Sequence, residues 1–209
     1  MNKMQYEDRY LKVCESLKKL IEKTNEPLEG NCLYRHLSFD QWGVLLNKRM
    51  NYQKAVQGKK LICEIGFNAG HSFLAMILAN PSAHYVLFDL GSHTYARPCF
   101  EYLKKLFPQT SIDIFWGDSR QTLADYHKRH PEIVFDLIHI DGGHRSKVYS
   151  TDWKNSLDTI SVGGLLIFDD TDNEKINAFI DKEILRGVVR EADDFLKTYG
   201  YKHRLLEKI

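Results

Sequence analysis

The sequence predicts an α/β protein built on a doubly wound, mainly parallel sheet with helices on both faces. Three observations carry this expectation. Short apolar runs alternate with helix-length segments five times in succession, the runs are apolar enough for a sheet covered on both sides, and several of them end in a carboxylate. Parallel neighbours need crossover connections, and a helix after each strand supplies them. Two further β segments near the C-terminus bring the expected count to seven strands.

Residues 5–23 place Tyr6, Tyr10, Val13, Cys14, Leu17, Leu20 and Ile21 on one side of a helix, with Lys and Glu opposite. Thr24 to His36 breaks that pattern with Asn25, Pro27, Gly30 and Asn31 and carries the cluster Leu33-Tyr34-Arg35-His36; it reads as a substrate lid or as a plain connector. Ser38 and Gln41 have capping-box spacing for a second helix through Trp42, Leu45, Leu46 and Met50, ending near Gly58. The first strand, Leu61 to Ile65, then meets a turn from Gly66 to Gly70, and Phe73 to Leu78 continues as a buried helix.

Asn80-Pro81 ends that helix, and His84 to Asp89 is a second strand. A helix over 95–107 is stopped by Pro108, and Ile112 to Trp116 forms a third strand running into Gly117-Asp118-Ser119. After a helix through Leu123 and Tyr126, the strand Val134 to Asp141 runs into Gly142-Gly143-His144. The next helix carries Tyr149, Trp153, Leu157 and Ile160 and is expected to stop at Gly163-Gly164. Leu165 to Phe168 then leads into Asp169-Asp170-Thr171. Ile176 to Leu185 reads as helix, Val188 to Glu191 as a short strand and Tyr201 to Ile209 as the last one.

A chain of 209 residues with 43% hydrophobic content suffices for one well-cored domain, 1–209, and no linker divides it. The net charge of +1, with acids and bases interspersed, offers no basic face for nucleic acid and no basic amphipathic segment for a membrane. Lys104-Lys105 and Lys128-Arg129-His130 read as solvated helix faces. Cys14, Cys32, Cys63 and Cys99 contain no Cys-x-x-Cys pair, so neither a disulfide framework nor zinc is expected. The first helix is charged and no run reaches about 18 apolar residues, so a cytoplasmic setting is expected. A homo-oligomer and a longer parent polypeptide both stay open.

The chemistry-bearing residues gather at the carboxyl ends of the strands, where ligands of open α/β sheets bind. Gly66 and Gly70 let the backbone approach a ligand, and the helix start beyond them presents unpaired N–H groups. Gly66, Phe67, Asn68, Gly70 and Ser72 are therefore a candidate cofactor corner, against a tight turn that holds no ligand. A dinucleotide fingerprint needs Gly-x-Gly-x-x-Gly spacing, which is missing, and Glu64 suits a cationic amine better than a pyrophosphate. Asp89 stands where ribose hydroxyls are bound, or simply caps its loop; Asp118 and Ser119 are placed for adenine.

Asp141, Asp169 and Asp170 repel one another unless a cation sits among them, and hard oxygen ligands suit Mg²⁺ or Mn²⁺. The competing reading has one acid capping a helix and another paired with Lys or Arg. His144, three residues beyond Asp141, is placed to take a proton from a hydroxyl, or is structural in its Gly-Gly turn.

In this order, Glu-Ile-Gly-x-x-x-Gly-His-Ser, Phe-Asp-Leu, Gly-Asp-Ser, Ile-Asp-Gly-Gly-His and Phe-Asp-Asp-Thr resemble the class I S-adenosylmethionine (SAM) methyltransferases over roughly residues 38–209. Within them the chain resembles the metal-dependent macrolide-sugar O-methyltransferase branch. The resemblance implies a Rossmann-like fold with an antiparallel C-terminal strand. It implies SAM held by Glu64, Gly66, Phe67, Asn68, Gly70, Ser72, Asp89, Asp118, Ser119 and Asp141, and Mg²⁺ or Mn²⁺ on Asp141, Asp169 and Asp170. His144 would act as base beside Asp141, on a sugar or glycan acceptor. Helices within 1–58 would shape the acceptor site, and 59–209 would form the SAM-binding core.

Catechol-type relatives have Asp-His-Trp-Lys where this chain has Asp141-Gly142-Gly143-His144, and the sugar enzymes resemble Glu-Asp where it has Asp169-Asp170. A SAM- or glycan-binding module without catalysis and an O-methyltransferase of a non-sugar small molecule are the competing functions.

Overall fold

The apolar stripe of the N-terminal segment does form a helix, α1 (Lys3–Glu22), with Tyr6, Tyr10, Val13, Cys14, Leu17 and Ile21 buried. The computed structural model describes residues 3–30, 42–198 and 202–209. The Leu33–His36 cluster, the Ser38–Gln41 cap and Cys32 lie outside the described residues. Helix α2 (Trp42–Ala55) precedes β1 (Leu61–Ile65), and α3 (His71–Ala79), β2 (His84–Asp89), α4 (Ala96–Leu106) and β3 (Ile112–Trp116) follow. Next come α5 (Ser119–Arg129), β4 (Phe135–Ile140), α6 (Ser146–Thr159), β5 (Ile160–Phe168), α7 (Glu174–Leu185), β6 (Val189–Glu191) and β7 (Arg204–Lys208).

One seven-stranded sheet runs in the order β3-β2-β1-β4-β5-β7-β6. The first five strands are parallel, and β7 lies antiparallel between β5 and β6. Strand order reverses between β1 and β4, which opens a crevice at their carboxyl ends. Side-chain alternation separates two cores. Ile62 and Leu137 pack with α1, α2, α3 and α4, whereas Cys63, Ile65, Ile138 and Ile140 pack with α5, α6 and α7.

The boundary between α6 and β5 differs from expectation. Helix α6 ends at Thr159 and Ile160 is already extended, at φ −99° and ψ 145°. The pairing of β4 with β5 jumps from Phe135↔Ile160 to Leu137↔Leu165, so Gly163-Gly164 lies in a bulged strand and stops no helix. Gly163 has φ 75°, which glycine adopts without strain. Lys208 Nζ instead caps the end of the helix, donating to Leu157 O at 2.7 Å and Ile160 O at 2.9 Å.

Cys63 and Cys99 are buried free thiols, and Cys14 is buried as well. No helix among the described residues is long and apolar enough to cross a membrane.

Candidate functional site

The turn after β1 owes its shape to its glycines. Gly66 has φ 94° and Gly70 φ 80°. A Cβ on Gly66 would stand 1.9 Å from the backbone oxygen of Asp141, and one on Gly70 2.6 Å from Phe67 Cζ. Phe67 points inward, its ring edge-on to Phe100 at 5.7 Å between centroids, and so folds the turn down onto the core. Gly66 N–H donates to Phe88 O, and Asp141 N–H to Ile65 O, both at 2.8 Å. The turn is thereby tied to the ends of β2 and β4.

Above these strand ends lies a cavity of about 670 Å³. Gly66, Phe67, Asn68, Ser72, Asp89, Asp118 and Ser119 line one part of it; Asp141, His144, Asp169 and Asp170 line the other. Gly70 lies behind this surface. Asp89 accepts from Asn68 N–H through one oxygen and from Gly91 N–H through the other, each at 2.7 Å, which fixes the carboxylate at the rim. Asp118 caps α5 by accepting from Arg120 N–H at 3.0 Å and grips the Arg120 guanidinium, which holds its carboxyl below the usual range.

Glu64 departs from its expected place. Period-two alternation turns it toward the α1–α4 side, away from the cavity, and it is fully buried. Ser72 Oγ donates to its Oε1 at 2.5 Å, and His139 Nδ1, directly across on β4, lies 2.9 Å from the same atom.

Adjacent strand ends bring the acids together. Asp141 follows β4, Asp169 follows β5, and Asp169 N–H donates to Ile140 O at 2.9 Å. One ligand atom each from His139, Asp141 and Asp169 lies within 4.8 Å of the others. Asp170, at φ 55°, turns away from this group and sets Oδ2 2.6 Å from His144 Nε2. The competing reading paired one acid with Lys or Arg, and the structure supplies such a partner together with two histidines. Lys48 Nζ, from α2, lies 2.6 Å from Asp169 Oδ1, and His139 and His144 complete the set.

Burial opposes charge on Asp169, yet Lys48 and His139 outweigh it and hold the carboxyl well below the usual carboxylate range. Burial and the repulsion of Asp169 push Asp141 the other way. His139 is raised to about 10, because hydrogen bonds to Asp169 and Glu64 exceed the cost of burial. His144 is raised to about 9 by its hydrogen bond to Asp170. Tyr52 joins the group from α2: its hydroxyl donates to Asp169 Oδ2 at 3.1 Å and lies 3.2 Å from His139 Nε2. A polar chain, Ser72–Glu64–His139–Tyr52–Asp169–Lys48, thus runs beneath the cavity floor.

Sequence reasoning missed Lys48, Tyr52 and His139. A signal existed for His139, an ionisable residue set between Ile138 and Ile140 in β4. None marked Lys48, which reads like any lysine on an amphipathic helix.

A family profile described as a methyltransferase domain matches residues 63–171. Among solved structures, the chain is similar to an O-methyltransferase from Bacillus cereus in complex with S-adenosylhomocysteine (SAH), at 16% identity and TM-score 0.66, over 95% of this chain and 90% of that one. It is similar to the TDP-rhamnose 3'-O-methyltransferase of calicheamicin biosynthesis, at 19% identity and TM-score 0.59, over 94% and 93%. It also resembles the N-methyltransferase NodS from Bradyrhizobium japonicum, at 14% identity and TM-score 0.60, over 94% and 98%. No curated protein matches the chain.

Proposed function

The chain belongs to the methyltransferase-domain family, and from that premise we propose that it transfers the methyl group of SAM to a hydroxyl of a sugar or glycan. The single observation that carries this reading is the shared cavity: the glycine turn, the Asp89 rim and the acid cluster with His144 open into one space. The TDP-rhamnose enzyme among the similar structures supports the sugar acceptor, as does the Gly142-Gly143-His144 segment.

In this reading the sulfonium donor lies along Gly66–Ser72 with its ribose at Asp89 and its adenine beside Ser119. Asp118, already gripped by Arg120, shapes the adenine end through its cap of α5. The acceptor enters from the side of residues 1–58, where α2 presents Lys48 to the cavity. His144 takes the hydroxyl proton once its own proton has left, and Asp170 orients the imidazole through Nε2. Holding acceptor oxygen, methyl carbon and sulfur in line contributes up to about 7 to 11 kcal/mol by positioning alone.

The donor set fits a divalent metal. Both ring nitrogens of His139 are engaged, by Glu64 and by Tyr52, so carboxylate oxygens of Asp141 and Asp169 would hold Mg²⁺ or Mn²⁺, while Asp170, the third expected ligand, stays with His144. Bound there, the ion would lower the pKa of an acceptor hydroxyl.

The test is incubation with labelled SAM, Mn²⁺ and a panel of sugar nucleotides and deoxysugar glycosides. Label on a sugar oxygen is the expected product. Cofactor binding with no transfer to any acceptor favours the non-catalytic module, and label on nitrogen or on a non-sugar hydroxyl removes the sugar assignment.

A further inference from the structure

We propose that Lys48 is the resident cation of the acid cluster and competes with a divalent ion for Asp169, so that metal loads only as the ammonium withdraws. The inference rests on the metal-assisted reading of the same site.

Asp169 is fully coordinated by the protein's own donors. Its Oδ1 lies 2.6 Å from Lys48 Nζ and accepts from Asp170 N–H at 2.7 Å; its Oδ2 accepts from Tyr52 OH at 3.1 Å. His139 Nε2 stands 3.6 Å from Oδ2 as well, so four of the protein's own donors surround the carboxylate and an entering ion must displace one of them. The amide is backbone, and Tyr52 is fully buried between His139 and His203, with ring centroids 5.0 and 5.3 Å away. Of the side-chain donors, Lys48 alone reaches the cavity, on a stem with four rotatable bonds.

The helix that carries Lys48 is itself fixed. Asn51 Nδ2 donates to Leu196 O at 2.8 Å, and Asn51 Oδ1 accepts from Leu196 N–H at 2.9 Å. The backbone at Lys48 therefore stays while its ammonium can leave. Ammonium and metal would share one carboxylate oxygen, and two cations cannot occupy that position together. In the metal-free state the ammonium thus does what the ion would do, keeping Asp169 ionised beside Asp141. Where Lys48 is absent, Asp169 keeps His139 as its one cationic neighbour among the described residues and attracts the ion more strongly.

Calorimetric titration with Mn²⁺ at fixed pH tests the competition. Lys48→Met should bind Mn²⁺ at least tenfold more tightly than the unmodified protein, and Lys48→Arg, which keeps the charge, should not. Equal or weaker binding by a folded Lys48→Met overturns the proposal, as does an absence of Mn²⁺ binding in every form. If Lys48→Met does not fold, the unmodified protein answers instead, by amine acylation with peptide mapping. Saturating Mn²⁺ should raise labelling of Lys48 several-fold, and unchanged labelling refutes displacement. Methyl transfer measured on the same samples separates the two readings. Transfer without Mn²⁺ binding ends this proposal and leaves the methyltransferase standing; Lys48-dependent Mn²⁺ binding without transfer does the reverse.

Discussion

His144 keeps its proton at neutral pH, because Asp170 Oδ2 stands 2.6 Å from Nε2 and raises the imidazole to about 9. A general base must be neutral, so the competent fraction falls about tenfold for each pH unit below that value. The sign follows: transfer should accelerate between pH 7 and 9 and level off above. Independently of turnover, the His144 ring protons of the metal-free protein should titrate by NMR with a midpoint near 9. Asp170→Asn removes the partner and should bring the midpoint down toward the ordinary 6.5; a midpoint already there in the unmodified protein would remove the pairing. That His144 and Asp170 meet was only half legible in the sequence. Their strand-end positions were readable, but the turn of Asp170 toward histidine depends on a φ of 55°, which aspartate adopts more readily than most residues without its identity fixing where. Glu64 was misplaced for a readable reason. The alternation that sends Cys63 and Ile65 to one face of β1 sends Glu64 with Ile62 to the other, and motif spacing alone overlooked it.

Helix α6 carries an acid that works against the fold. Asp152 is fully buried beneath Gly142, and burial pushes its carboxyl up to about 6. Between the ordinary value of 3.8 and about 6, the folded chain holds a proton that the unfolded chain has lost. Stability contributed by that proton is whole below 3.8 and is lost as pH rises through 6. Asp152→Asn, neutral at every pH, should therefore stabilise the protein by about 3 kcal/mol at pH 8, or roughly 6 to 12 °C in melting temperature, and by little at pH 4. Equal gains at both pH values, or a loss at pH 8, would show that the carboxylate is not the strained form. The elements themselves were largely legible: β1, β2 and β3 begin and end where alternation and punctuating residues put them. The end of α6 was not, because Gly163-Gly164 suits a bulge as well as a helix stop, and only pairing with β4 decides between them. Nor could helical period show that α2 delivers Lys48 and Tyr52 to the acids, since that depends on how the helix is packed against the sheet.

Across the whole molecule, the N-terminal helices share one apolar core with the cofactor corner, although the family profile spans only residues 63–171. Tyr6, Tyr10, Leu17 and Ile21 of α1 share one core with Phe73 and Leu74 of α3, and Tyr6 OH donates to Ala75 O at 2.6 Å. Burying a large apolar side chain contributes about 1.5 to 3 kcal/mol, so these four and Tyr52 together supply on the order of 10 kcal/mol. Whole domains are stable by only about 5 to 15 kcal/mol. A fragment of residues 59–209 would lose that contribution, and would also strip Lys48 from Asp169 and Tyr52 from His139, leaving charges built to be covered facing water or one another. The fragment should therefore show no cooperative melt, no near-ultraviolet circular dichroism of packed aromatic rings and no SAH binding, whereas the full chain should show all three. A 59–209 fragment that melts cooperatively and binds SAH as tightly as the full chain would mean that the first two helices only roof the acceptor side, and that the sheet with its remaining helices stands alone.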